Sequence, residues 1–323
     1  MWKKASYIVI STLIAVGIVA WMLYAIWDDL LIAASHAVWY FLVLASVVCL
    51  TAWWLRGLRY RNILSSLGIP AGVTFSVACI FVSQTANLIV PARLGDLVRI
   101  LILGHEYHST TSQGLSSIVI ERVFDVLMVA ILGAVALLFV LDVPSWFYTI
   151  TIAPILAGFL FFIILALSGK VSTENRVTRA ILSVLEQVRE ASLSMRAIIF
   201  LSASSLVIWI IDVLVCVCVV MMFQDQVPFA VVVLGIVIGN LVKAVPLTPG
   251  GVGTYELALA VTFSLAGVPA AEATMIAVVD HLIKNLITLG GGVVSIYFFG
   301  PWVLDSLRST FQRRFGGIGS GRM

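Results

Sequence analysis

Five cations lie within or beside long apolar runs: Arg93, Arg99, Arg122, Lys243 and Lys284. Carboxylates accompany them at helical spacings. In "ERVFD", Glu121 and Asp125 fall on one helix face, and Arg122 reaches Asp125 at i,i+3. In "DHLIK", Asp280 and Lys284 are i,i+4, beside His281, which can titrate near neutrality. Asp96 and Glu256 each follow a break rich in Pro and Gly. A charge at bilayer depth costs at least about 2.5–3.5 kcal/mol on insertion scales, so such residues face a protein interior or a watery cavity. Arg93, Arg122, Lys243 and Lys284 suit anion binding, because arginine grips a phosphate through two N–H groups and lysine acts as a point charge. Asp96, Glu121, Asp125, Glu256 and Asp280 would balance those charges and carry protons. Glu256 would also favour the helix dipole behind its break. Asp212, alone in "IWIIDVLVC", is a further candidate with no partner visible in the sequence.

Catalytic, metal and cofactor sites are not expected. "HEYH" at 105–108 lacks the H-E-x-x-H spacing of a zinc protease, and "PGGVG" lacks the G-K-[ST] ending of a phosphate loop. Cys49, Cys79, Cys216 and Cys218 sit inside apolar runs and read as small buried hydrophobes. Gly290–Gly292 reads as a close helix contact or a kink.

The elements that must position these residues are helical. Of 323 residues, 61% are hydrophobic and 11% charged, against about 25% charged in a soluble domain. The expected fold is all-α and polytopic, with nothing to attract nucleic acid. Six full spans are expected at about 5–27, 37–55, 116–141, 146–168, 197–222 and 272–299. Two further segments, about 72–103 and 229–267, are each broken in the middle. The first break, "NLIVPARLGDLVR", holds Pro91 and Gly95; the second, "NLVKAVPLTPGGVGTYE", holds Pro246, Pro249, Gly250, Gly251 and Gly253. Each segment is too long for one straight span of about 20 residues, and is either a re-entrant hairpin or a pair of short spans. The stretch 170–196 is an amphipathic surface helix or a solvated connector.

Lys and Arg cluster at both termini, at Arg56–Arg61 and between Lys170 and Arg196. The positive-inside rule makes these regions cytoplasmic. The first broken segment then opens from inside and the second from outside. Both breaks begin Asn-Leu and then hold a proline, a cation, glycine and a carboxylate, which points to inverted repeats within one transmembrane domain, 1–323. Repeat A is about 37–141, the connector about 142–196, repeat B about 197–299 and the cytoplasmic tail 300–323. Interrupted segments at matching places in two halves mark a midplane site in transporters. Their half-helix N-termini would present free N–H groups to an anion.

"VPARLGDLVR", "SSIVIERVFDVLMV", "PLTPGGVGTYELAL" and the Arg-rich "WWLRGLRYRNIL" (53–64) resemble the flippase-like membrane family that includes the transmembrane region of lysylphosphatidylglycerol synthases. The resemblance implies an integral protein of a prokaryotic-type plasma membrane that moves a lipid with a charged headgroup between leaflets. The family's usual Glu in the first break stands here as Asp96. About 20 residues follow the last span, so a synthase domain is not expected. The implied partners are membrane lipids, anionic or polyprenyl-phosphate-linked. A lipid-modifying enzyme partner and a homo-oligomer are compatible with this, as is the alternative of a membrane-embedded enzyme or an accessory scaffold in a glycolipid pathway.

Overall fold

The computed structural model describes residues 27–90, 93–140, 143–168, 175–224, 226–245, 247–300 and 302–303, with residues 13, 17–22 and 24 of the N-terminal region. The expected first span therefore lies mostly outside the described residues, as do Pro91, Pro246, Lys170 and the tail from 304.

Eleven α-helices make up the described chain, and no strand occurs among the described residues. They are α1 (Trp27–His36), α2 (Tyr40–Ser66), α3 (Val73–Ile89), α4 (Asp96–Tyr107), α5 (Thr111–Ala136), α6 (Ser145–Ser168), α7 (Arg176–Ser192), α8 (Met195–Met222), α9 (Phe229–Ala244), α10 (Thr254–Leu265) and α11 (Ala270–Phe299). By length and composition α2, α6, α8 and α11 can each cross a membrane. Helix α5 is as long, but it carries Glu121, Arg122 and Asp125 in its apolar stretch.

Both broken segments resolve into pairs of short helices, α3 with α4 and α9 with α10. At 1.5 Å per residue these helices are about 18–26 Å long, short of a hydrocarbon core of about 30 Å. The chain stops being helical at Val90 and Val245, which are extended. In the second break Pro249 opens a single 3-10 turn, Pro249–Gly251, and Gly250, Gly251 and Gly253 have φ of 62°, 77° and 83°. In the first break a glycine is required for a different reason. A Cβ on Gly95 would lie 2.4 Å from the Ser83 carbonyl oxygen and 2.5 Å from the Asn87 amide nitrogen, so only Gly lets the chain fold back onto α3.

Helix α2 packs on α8, α3 on α11, and α5 on α9. Exchanging α2, α3, α4 and α5 for α8, α9, α10 and α11 leaves this set of contacts unchanged. The glycine run 290–292 makes a close helix contact and no kink. A Cβ on Gly291 or Gly292 would meet Phe81 or Thr85 of α3, and Thr85 Oγ1 donates to the Thr288 carbonyl at 2.8 Å. The connector forms α7, an amphipathic helix against the start of α5, where Ser116 Oγ donates to Gln187 Oε1 at 3.0 Å.

Two boundaries move. The expected span at 116–141 is instead Thr111–Ala136, opened by a capping box in which Gln113 N–H donates to Thr110 Oγ1 (3.2 Å) and Thr110 N–H to Gln113 Oε1 (2.9 Å). The span expected at 37–55 runs on to Ser66, because no proline interrupts 56–66 and its one glycine, Gly57, serves a close approach to Val77. This corrects the reading of the Arg56–Arg61 region as a cytoplasmic loop: Arg56 and Arg59 lie within α2, and Arg59 is 2% exposed.

Candidate functional site: a charged cavity between two helix breaks

The charged side chains inside the bundle form two groups. The first joins α2, α4 and α5. Arg59 forks onto the Asp125 carboxylate and also donates to Ser205 Oγ at 2.7 Å. Arg99, fully buried, pairs with Glu121 and donates through Nε to Ser83 Oγ at 3.1 Å, with Tyr60 beneath its guanidinium. Arg122 grips both oxygens of Asp96 at 2.9 and 3.1 Å. Asp96 also accepts from Asn87 Nδ2 at 2.9 Å and Ser83 Oγ at 3.2 Å. With its amide oxygen turned towards them, Gln84 accepts from Arg99 and Arg122 at 3.1 Å each.

The second group joins α2, α8, α10 and α11. Lys284 reaches Asp280 Oδ2 at 2.9 Å and Asp212 Oδ2 at 3.2 Å; Arg56 reaches Asp212 Oδ1 at 3.4 Å. The Tyr255 hydroxyl donates to Asp280 Oδ2 at 2.7 Å. Beside this group runs a chain of contacts. Lys243 Nζ lies 2.9 Å from His281 Nε2, His281 Nδ1 lies 2.8 Å from Glu256 Oε1, and Glu256 Oε2 accepts from the Gly253 N–H at 2.8 Å.

Between the groups is a cavity of about 170 Å³. Arg93, Arg122, Lys243 and Lys284, the four cations expected to meet an anion, all line it. So do Arg56, Glu121, Asp125 and Asp212, while Asp96, Glu256 and Asp280 stand behind the lining and hold its members in place. The two breaks meet at its edge. Arg93, with φ of 52°, donates to the Lys243 carbonyl at 3.3 Å, so a cation of the first break satisfies a free carbonyl in the last turn of α9. A Cβ on Gly250 would lie 2.6 Å from Leu88 Cδ2.

The four cations are not equivalent. Arg122 and Lys284 are already neutralised by Asp96 and by Asp212 with Asp280. Arg93 and Lys243 have no carboxylate in ion-pair reach among the described residues; their polar contacts are a backbone carbonyl and an imidazole. Charges drawn inside a bundle are normally paired, which sets these two half-buried cations apart from the rest of the lining.

Three expectations change. Arg122 and Asp125 do not pair with each other; Arg122 turns to Asp96 and Asp125 to Arg59. Asp212 has two partners, Arg56 and Lys284, contributed by helices distant in sequence. The half-helix N-termini do not wait empty for an anion. Glu256 caps α10 itself, and Asp96 opens α4. The cationic groups at the breaks that face no carboxylate are the side chains of Arg93 and Lys243. Arg56, Arg59 and Tyr255 were missed as participants. Arg56 and Arg59 are i,i+3 on a helix that no proline interrupts, and that continuity was the available signal.

A helical bundle with this buried charge and a polar cavity is an integral membrane protein built around a polar site. A family model described as the lysylphosphatidylglycerol synthase TM region matches residues 8–292, and the chain belongs to that family. It is 32% identical over 298 aligned positions to a protein of Haloferax volcanii named glycosyltransferase AglD, covering 78% of this chain and 48% of that protein. The chain thus spans about half the length of that relative. It is 29% identical to a UPF0104 membrane protein of Methanocaldococcus jannaschii, covering 65% of this chain and 92% of that one. A UPF0104 membrane protein of Methanothermobacter thermautotrophicus is 25% identical, with 95% and 97% covered. No solved structure matches.

Proposed function

We propose that the protein moves a lipid with a phosphate-containing headgroup, phospholipid or polyprenyl-phosphate-linked, across the bilayer without catalysing a reaction on it. The observation that carries this reading is the pair of cations with no carboxylate in direct contact, Arg93 and Lys243, placed where two helix breaks meet in one cavity. The acyl chains stay in the bilayer while the headgroup enters the polar path. The exchange symmetry of the helix contacts supports an inverted repeat, and the two breaks supply hinges for opening to alternate leaflets. Alternating access then consists of parting the Arg93–Lys243 and Gly250–Leu88 contacts on one side and closing them on the other.

Reconstitution tests this. Liposomes containing fluorescent anionic, zwitterionic and polyprenyl-phosphate lipids should show faster headgroup crossing with protein than without. Lys243→Gln keeps a donor for His281 and removes the charge, so crossing should fall about tenfold or more while thermal unfolding stays close to wild type. Equal rates with and without protein would sink the proposal.

A second reading, accessory support to a lipid-modifying or glycosyl-transferring enzyme, is favoured by the name of the Haloferax relative. Co-purification of such an enzyme, with no lipid movement by the isolated chain, would select it.

A further inference from the structure

We infer that the headgroup taken at Arg93 and Lys243 is a phosphodiester bearing one negative charge and neutral, hydroxylated substituents. The inference rests on the phosphate-headgroup reading and narrows it. It comes from the way the buried charges close. Arg59, Arg99 and Arg122 are matched by Asp96, Glu121 and Asp125. Arg56 and Lys284 are matched by Asp212 and Asp280.

Arg93, Lys243, His281 and Glu256 remain. An ammonium group only donates hydrogen bonds. With Lys243 as the ammonium, its Nζ donates to His281 Nε2 at 2.9 Å, so the imidazole is the acceptor there and is neutral. The Lys243–His281 pair then carries one positive charge, and Glu256, 2.8 Å from Nδ1, matches it. Around His281, α10 presents Glu256 and Tyr255, α9 presents Lys243, and its own helix carries Asp280 and Lys284. From α8 the facing acid is Asp212, held by Lys284 and by Arg56 of α2, while α3 has no charged residue.

One positive charge, on Arg93, is left over. A ligand with one negative charge neutralises the cavity. A phosphomonoester dianion or a diphosphate would leave negative charge unpaired in a low-dielectric site, which is costly. An ammonium on the headgroup finds no vacant acid, since Glu121, Asp125 and Asp212 are each already held by an arginine or a lysine. Neutral polar groups are available. Asn240 spends its amide N–H on the Ile236 carbonyl at 2.8 Å and keeps its oxygen as an acceptor, and the buried Trp209 Nε1 has no partner among the described residues. A donor and an acceptor of this kind suit hydroxyl groups.

The test is calorimetric titration of the purified full chain with three dihexanoyl lipids and one chain-free compound. Phosphatidylglycerol carries one charge and hydroxyls, phosphatidylethanolamine adds an ammonium, and phosphatidic acid is a monoester; glycerophosphoglycerol lacks the chains. Phosphatidylglycerol should bind at least about tenfold tighter than the ethanolamine lipid and the monoester. Arg93→Gln should erase that preference and Arg93→Lys should keep it. Glycerophosphoglycerol should compete about tenfold more weakly if the occupant is a lipid; equal affinity overturns the lipid source in favour of a soluble phosphodiester. Equal or tighter binding of the ethanolamine lipid or the monoester, or an unchanged ranking in Arg93→Gln, overturns this inference and leaves the transport reading standing. If none of the four binds, this inference falls, and the liposome crossing assay decides the transport reading.

Discussion

Arg59 and Arg61 stand two residues apart on α2 in opposite surroundings. Arg61 is exposed, whereas Arg59 is buried against Asp125, Glu121 and Ser205. Removing one member of a buried pair strands the other charge, at a cost of about 3–5 kcal/mol. Arg59→Met should therefore destabilise the protein by roughly that amount, read from unfolding in detergent, while Arg61→Met should stay within about 0.5 kcal/mol. Equal effects of the two substitutions would remove Arg59 from the charge network. The sequence made both arginines look like one interfacial cluster, because a basic run after an apolar one is the ordinary signature of a membrane exit. What separates them is helix phase, and phase became readable only once α2 was known to continue to Ser66. Lys243 and Arg93 were legible for the converse reason. Their surroundings are apolar in sequence, so their charge alone called for a ligand or a cavity. Their lack of direct carboxylate contacts was not legible, since the partners of Arg122, Lys284 and Asp212 come from helices far apart in the chain.

At the scale of elements, the breaks were found by their Pro and Gly content, and the paired short helices followed from length. Their contact with each other was not written in either segment alone. Gly250 is the clearest case. It combines φ of 62° with an approach that puts a Cβ 2.6 Å from Leu88. A left-handed backbone costs a residue with a Cβ about 1–2 kcal/mol. Gly250→Ala should slow lipid crossing in liposomes and lower stability by at least that strain. Adding Leu88→Ala should recover the part caused by the clash and leave the part caused by φ. Gly290→Ala is the control: it sits inside α11 with nothing within 4 Å of its Cβ position, and helix propensity favours alanine by about 1 kcal/mol. A Gly250→Ala protein with unchanged crossing would mean that the breaks do not move against one another.

At the scale of the molecule, the charge distribution of the loops predicts a sidedness. Cysteines introduced at Ser66 and Thr111 should react with a membrane-impermeant maleimide from the cytoplasmic face, and those at Ser145 and Gln226 from the opposite face. All four positions are exposed, and the four native cysteines are buried and free, so the labelling needs no cysteine-less background. Reaction of all four from one side would refute the inverted arrangement of the two halves. The helical class and the broken segments were plain from composition and periodicity. The exchange symmetry of the packing needed coordinates, because weakly matched segments in two halves do not say which faces meet.

The first charge group has a bearing on how the protein is made. Arg59, Asp96, Arg99, Glu121, Arg122 and Asp125 all lie between α2 and α5, and their ion pairs close among themselves. During synthesis each charge of α5 emerges after the partner that neutralises it. The leading half can therefore leave the insertion machinery with its charges paired before the trailing half exists. The trailing half cannot do the same alone: Asp212 appears before Lys284 and must first find Arg56, already in place. This order of pairing favours vectorial assembly, in which the first half is the template on which the second is neutralised.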